Sequence, residues 1–134
     1  MEFDGNWLAG FFDGEGSIGI YPRNYNRTKT IRYYVLVVSL AQSGDIGEKV
    51  CKKLQHLYGG SAYAQKGVTK KVQWKWNISA DKAVDFLKEI EPFLIIKKEE
   101  ALLGITFQSL EHKTSTDTLA SEYADKVKLC KVNY

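Results

Sequence analysis

Residues 8–20 read LAGFFDGEGSIGI, and no other stretch restricts the fold as much. The residues before 15 read as a short apolar helix, whereas those from 17 onward favour a strand. Glycines at 10, 14 and 16 oppose a helix interior, each by about 1 kcal/mol relative to alanine. Something outside the helix must offset that cost. A helix packed backbone to backbone on a partner, with a metal-binding carboxylate at its end, satisfies both features.

The rest of the chain divides into helices and hairpins. The 134 residues read as one domain, residues 1–134, with a core over about 6–111 and a helical tail over about 117–131. Residues 6–14 form the first helix, with Asn6 as its N-cap. Two strand-like runs follow, 17–25 and 30–42, the second rich in β-branched and aromatic residues. Ile46, Val50, Leu54 and Leu57 keep helical spacing over 43–60, which ends in a double glycine. A second hairpin follows, in which Val72, Trp74, Trp76 and Ile78 alternate with Lys71, Gln73, Lys75 and Asn77. A helix over 79–94 is capped by Ser79 and stopped near Pro92, and another spans about 95–111. Leu119, Tyr123, Val127 and Cys130 mark a last helix after the polar HKTSTDT segment. The order αββαββα plus a tail predicts an α+β fold. One antiparallel sheet would carry helices on one face and polar, basic alternates on the other.

Charge is uneven along this order. Residues 20–75 hold eleven Lys/Arg against Asp45 and Glu48, a charge of +9, while the remainder carries −6. One surface built to meet a polyanion is expected. Because the major groove admits a two-stranded ribbon, the basic sheet face is a candidate saddle for a duplex. A 44% hydrophobic and 13% aromatic content argues against disorder. No apolar run approaches the roughly 18 residues of a membrane span, so no membrane partner is expected. The start, MEFDGNW, lacks the basic region of a secretory signal. Cys51 and Cys130 have no zinc spacing, and Cys51 with His56 reads as packing, so a reducing intracellular compartment is expected.

LAGFFDGEG followed by SI and a strand resembles the signature of LAGLIDADG homing endonucleases. The downstream order is similar to that family's αββαββα core, over roughly residues 7–107, and Gln42 and PFLIIKK (92–98) add to the resemblance. One copy of the motif is present, as in family members that act as homodimers. On those terms Gly10 and Gly14, four apart on one face, let the same helix of a second copy approach closely. The interface would draw on Leu8, Gly10, Asp13 and Gly14. Leu8, with Phe11 and Phe12, is also a candidate for the protomer's own core.

The resemblance further implies a chemical site. Two helix C-termini would meet, and their dipoles and two Glu15 carboxylates would attract Mg²⁺, with Mn²⁺ or Ca²⁺ as substitutes for binding. Glu15 stands where many members have Asp, and the Gly14 carbonyl is a further ligand. Gln42 is similar in position to a residue that places the attacking water or a metal. Lys97 resembles a residue that stabilises developing phosphate charge, with Lys98 the adjacent alternative. Asp13 helps to close the helix end, and Ile46 is apolar where some relatives have a second basic pocket residue. A calcium-loop reading of the same stretch fails, because its sixth and twelfth positions are Ile18 and Asn24 rather than Gly and Glu.

Alternation assigns the DNA-binding face. Ser17, Gly19, Tyr21 and Arg23 share it on the first strand, opposite Ile18 and Ile20. Tyr33, Val35, Val37 and Ser39 share it on the second, with Tyr34, Leu36, Val38 and Leu40 inward. Tyr25, Arg27, Thr28 and Lys29 extend it toward the first hairpin tip. Gln73, Lys75 and Asn77 represent the second hairpin, with Lys66, Lys70 and Lys71 near its tip. Valines suit thymine methyls, Asn and Gln favour adenine, and Arg and Lys favour guanine or phosphate.

The expected function is a homodimeric, Mg²⁺-dependent, site-specific DNA endonuclease, encoded in an intron and cleaving a long pseudo-palindromic duplex to leave short 3′ overhangs. Its setting would be an organelle, chloroplast or mitochondrion, or a bacterial or phage-infected cytoplasm. One alternative keeps the fold without cutting, as an RNA-binding maturase or a DNA-binding domain. Another is a single-strand RNA binder stacking bases on Tyr21, Tyr25 and Tyr33, for which no RNP-type motif is present.

Overall fold

The computed structural model describes residues 2–24, 32–66, 71–110 and 118–132. Helix α1 (Gly5–Glu15) leads into strands β1 (Gly16–Asn24) and β2 (Arg32–Ser43), and α2 (Gly44–Tyr58) follows. Strands β3 (Ser61–Lys66) and β4 (Val72–Ser79) form the second hairpin. Helices α3 (Ala80–Ile90), α4 (Lys98–Gln108) and α5 (Thr118–Val132) complete the order, with a 3₁₀ turn at Glu91–Phe93. The expected αββαββα arrangement with a helical tail is present, around one antiparallel sheet of order β1-β2-β4-β3.

A period of two separates the sheet's faces. Ile18, Ile20, Leu36, Val38, Leu40, Trp76 and Ile78 are all buried, and they pair across strands as Ile18 with Val38 and Leu40 with Trp76. The helices cover that face. Aromatic rings then tie α1 to the sheet: Phe12 meets Phe86 of α3 edge-on at 5.6 Å, and Phe86 meets Trp76 at 5.0 Å. Such pairs contribute about 0.5–1.5 kcal/mol each beyond burial. The Trp76 indole N–H donates to the Gly59 carbonyl at 2.8 Å, so the buried ring leaves no donor orphaned.

Helix ends depart from the expectation where neighbouring residues compete. Asp4, rather than Asn6, caps α1: its Oδ1 accepts the Trp7 N–H at 2.7 Å, while Asn6 lies exposed within the helix. Ser79 holds the cap position of α3 with extended backbone but makes no side-chain cap bond. Helix α3 stops at Ile90, short of 94, because Pro92 cannot continue an α-helix and fits the following 3₁₀ turn instead. At the end of α2, Gly59 and Gly60 take φ of 86° and 83°, as the double glycine predicts. A Cβ on Gly60 would also strike the Asn77 carbonyl oxygen.

The basic segment does not form one surface. Lys49, Lys52 and Lys53 lie on α2, which packs on the helical side of β2 and β4. Lys52 pairs with Glu48 at 2.6 Å and sits 5.3 Å from the Trp74 ring, and Lys53 sits 5.6 Å from that of Phe3. A charge count along the chain carries no information about which face of the sheet a helix covers.

Among the described residues Glu100 is the one acid in the core. It is 0% exposed, and neither carboxylate oxygen has a hydrogen-bond partner among the described residues. It stands three residues after Lys97, the N-cap of α4, where a Glu ordinarily reaches back to the cap N–H. That N–H is already bonded to Asp13. Burial pushes the Glu100 acid above its ordinary 4.5, against the pull of Lys131 and Lys97 and with help from Glu99. A carboxyl raised in the folded state holds its proton more tightly than in the unfolded chain, so its contribution to stability declines as pH rises past about 4.5. Glu100→Gln is therefore expected to flatten the decline of melting temperature as pH rises above about 4.5. An unchanged pH slope would assign that decline to other groups.

Candidate nucleic-acid interface and metal centre

The three motif glycines have separate causes, visible in what a methyl group would meet. At Gly16 a Cβ would run into the Phe12 ring, so glycine there serves the protomer's own packing. At Gly10 and Gly14 a Cβ would meet nothing within 4 Å, and both residues are exposed. The protomer has no steric use for glycine at either position, although each costs about 1 kcal/mol of helix propensity. Trp7, 43% exposed, lies three residues before Gly10 and on the same open face.

Leu8 is not part of that face. At 1% exposure it packs in the core with Ala9 and Phe12, which corrects its assignment to a contact with a second copy. Phe11 is only partly buried, stacking at 5.2 Å on Trp7, which stacks at 4.8 Å on Phe3.

The C-terminal end of α1 is fixed by residues 82 and 84 positions away. Asp13 accepts the Ile95 N–H at 2.8 Å through Oδ2 and the Lys97 N–H at 3.0 Å through Oδ1. The Lys97 ammonium in turn donates to the Asp13 carbonyl at 2.6 Å, although the side chain is only 7% exposed. Its charge thus meets the negative end of the helix dipole. Asp13 closes the helix end as expected, and both its carboxylate oxygens are engaged within the protomer. Lys98 turns elsewhere, pairing with the Glu91 carboxylate at 3.0 Å and the Glu91 carbonyl at 3.1 Å. Of the two lysines, Lys97 is the one that reaches α1.

Glu15 ends α1, exposed, with no ion pair or hydrogen bond among the described residues. It opens on a cleft of about 250 Å³ lined also by Ser17, Ser39, Ala41, Tyr63, Lys75 and Asn77. A carboxylate beside helix-end carbonyls is a set of hard oxygen donors, suited to Mg²⁺, Mn²⁺ or Ca²⁺. No group of three or more acidic, His or Cys side chains able to hold a cation occurs among the described residues. Gln42 is partly buried near the end of β2, opposite Trp74; alternation puts it on the Leu40 side, and it does not line this cleft. Ile46 is exposed on α2.

A broader groove of about 880 Å³ runs over Tyr21, Arg23, Tyr33, Val35, Val37 and Ser39, on the face that alternation assigned. Gly19 belongs to this face yet is buried, because the Tyr21 side chain lies over it where a Cβ would stand. The Arg23 guanidinium sits 5.8 Å from the Tyr21 ring. Exposed Gln73 pairs with Gln65, and Lys75 with Tyr63, so β3 also reaches the groove face. Tyr63 escaped the sequence reading; its signal was the register opposite Lys75. Lys71 is exposed just before β4, whereas exposed Lys66 falls on the alternate side with Ala62 and Ala64. The Asn77 amide, expected to read adenine directly, is held between Ser39 and Tyr63. Tyr25, Arg27, Thr28, Lys29 and Lys70 lie outside the described residues.

A family model described as LAGLIDADG endonuclease matches residues 8–103. No curated protein sequence matches the chain. Among solved structures, the homing endonuclease I-CvuI in complex with its target, in the presence of Ca, superposes with a TM-score of 0.73 at 22% identity. That match covers 94% of this chain and 80% of the other. The archaeal intron-encoded homing endonuclease I-Vdi141I, complexed with DNA, gives 0.56 at 17% identity over 93% of this chain and 96% of its own. The LAGLIDADG homing endonuclease I-GzeII, in complex with a DNA target, gives 0.66 at 17% identity over 100% of this chain and 45% of its own. These structural likenesses are of fold.

The Asp13 fastening has a measurable consequence. Asp13→Ala removes two hydrogen bonds to a carboxylate and is expected to cost about 2–3 kcal/mol in urea unfolding. Asp13→Asn, which keeps one acceptor, should lose less. A cost below about 0.5 kcal/mol, the range of neutral surface changes, would place the anchoring of α1 elsewhere.

Proposed function

Because the chain belongs to the LAGLIDADG endonuclease family, we propose that this DNA-binding endonuclease works as a homodimer, uses a divalent cation and cuts both strands of a long pseudo-palindromic duplex. The observation that carries the reading is the open face at Gly10 and Gly14, where nothing among the described residues explains the choice of glycine. The same helix of a second copy does explain it, since two glycine faces allow close backbone approach. Trp7, and Ile95 and Ile96 near the Asp13 end of α1, 85% and 52% exposed, would be covered in the same contact.

Pairing α1 with its symmetry mate brings two Glu15 carboxylates beside two helix ends. Each Glu15, with the Gly14 carbonyl, would hold a cation, Mg²⁺ being the native ion and Mn²⁺ or Ca²⁺ substitutes. When bound, the cation supplies an activated water and stabilisation of the leaving oxygen. Lys97 holds positive charge at the α1 terminus, close to where phosphate charge would grow. The family resemblance assigns Gln42 to orienting water, although in the protomer it stands outside the cleft on which Glu15 opens. Two copies of the sheet would form one saddle, and two-fold symmetry in the protein calls for two-fold symmetry in a site of roughly 20 bp. The free thiols Cys51 and Cys130 fit a reducing compartment, and an intron-borne gene fits the family.

The test separates binding from cutting. Duplexes selected from a randomised pool by binding in Ca²⁺ are then given Mg²⁺. Wild type is expected to cleave both strands, EDTA to prevent it, and Glu15→Gln to lose several orders of magnitude in rate while still binding. That binding should weaken by about 10³-fold between 50 and 200 mM salt if the dimer contacts ~6 phosphates. Near-normal cutting by Glu15→Gln would overturn the site assignment, and a preference for RNA over every duplex would overturn the substrate.

A further inference from the structure

Three strands each contribute one side chain to a continuous polar chain on the groove face. Ser39 of β2 and Asn77 of β4 are direct register partners. Tyr63 of β3 pairs with Lys75, one diagonal step from Asn77. Ser39 Oγ donates to Asn77 Oδ1 at 2.7 Å, and Asn77 Nδ2 donates to Tyr63 Oη at 3.0 Å. All three line the cleft on which Glu15 opens, and Tyr63 is 41% exposed.

Each hydroxyl has a single proton, which settles what it offers to the groove. The Ser39 proton is used inside the chain, so Ser39 presents only lone pairs outward. Tyr63 accepts from Asn77, so its own proton remains available. Turning the Asn77 amide by half a turn reverses both ends at once. Tyr63 then donates to Asn77 and presents lone pairs, while Ser39 accepts and presents its proton. Both arrangements keep two internal hydrogen bonds with the heavy atoms almost unmoved, because amide oxygen and nitrogen are nearly the same size.

We propose that Ser39, Asn77 and Tyr63 form a reversible relay that lets one position of each half-site accept a base pair and its reversed pair alike. The inference rests on the duplex-binding reading above and adds a specificity rule to it. Across the major groove a G·C pair presents the guanine O6 acceptor beside the cytosine N4 donor, and a C·G pair presents them in the opposite order. A donor–acceptor pair of hydroxyls fixed in one order fits one of these. The relay fits either, by one amide flip, while Asn77 itself acts as a positioning residue behind the two hydroxyls.

Asn77→Asp removes the reversibility. A carboxylate only accepts, so Ser39 and Tyr63 must both donate to it and both present lone pairs. Wild type and variant are compared by binding selection from a randomised duplex pool in Ca²⁺, read as relative base preference, which a uniform loss of affinity does not alter. Wild type is expected to enrich G·C and C·G within about threefold of each other at one position per half-site. Asn77→Asp should cut that enrichment of G·C and C·G by about tenfold, because guanine O6 then faces a lone pair in either order, and Tyr63→Phe should alter the same position and no other. Unchanged profiles in both variants would overturn the relay, as would strong wild-type discrimination at the position they affect. A measurement without DNA keeps the two levels distinct. In the free protein the Asn77 side-chain amide resonances should move in both Ser39→Ala and Tyr63→Phe. Unmoved resonances overturn the relay whatever the DNA result, whereas moved resonances with no duplex enriched overturn the duplex reading and, with it, the relay's role in recognition.

Discussion

Three hydrogen bonds join Asp13 to residues 95–97, and they decide where α1 ends and which way it faces. They form a two-way fastening. The Asp13 carboxylate holds two backbone N–H groups of the segment leading into α4, and the Lys97 ammonium holds the Asp13 carbonyl. On the other side of the helix, Phe12 packs against Phe86 and through it against Trp76 of the sheet. Between these two anchors α1 has little freedom to rotate. Its glycine face is directed outward, and Glu15 stands at the lip of the cleft.

On the proposed reading that arrangement leaves a single chain chemically incomplete. Glu15 is one carboxylate where a protein-held cation calls for more, and the described residues hold no group of three or more acidic, His or Cys side chains able to bind one. Gly10 and Gly14 weaken the helix without easing any contact inside the protomer. On the proposed reading both features have the same remedy, a second α1 laid against the first. In that proposal the helix propensity lost at the glycines and the isolation of Glu15 are two consequences of one design, in which assembly and chemistry share a helix.

Much of this was legible in the sequence because it depends on short periods. The alternation over 17–23 and 33–40 sorted the core from the groove face, and the double glycine after α2 marked its stop. Long-range partners were not legible. Nothing local in FFDGEG says that Asp13 will bind residue 95, or that its doing so leaves the capping-box acid Glu100 without a partner. Asp4 and Asn6 are both good caps two residues apart, and only the three-dimensional path chooses between them. Leu8 has the same character as any interface leucine, and its burial depends on what α1 packs against. Tyr63 lay in a strand whose register against β4 was not assigned, so its place beside Asn77 went unseen. The lysines of α2 counted toward a basic surface until the fold put that helix on the other side of the sheet.

The central claim, that a second copy occupies the open face of α1, is tested most directly by molecular mass in solution. Sedimentation equilibrium of the wild-type chain is expected to give twice the 15.2 kDa of one protomer. The Gly10→Leu chain, whose added Cβ meets nothing within 4 Å among the described residues, should fold and sediment at 15.2 kDa. A wild-type mass of one protomer, or a doubled mass that survives Gly10→Leu, would contradict the account.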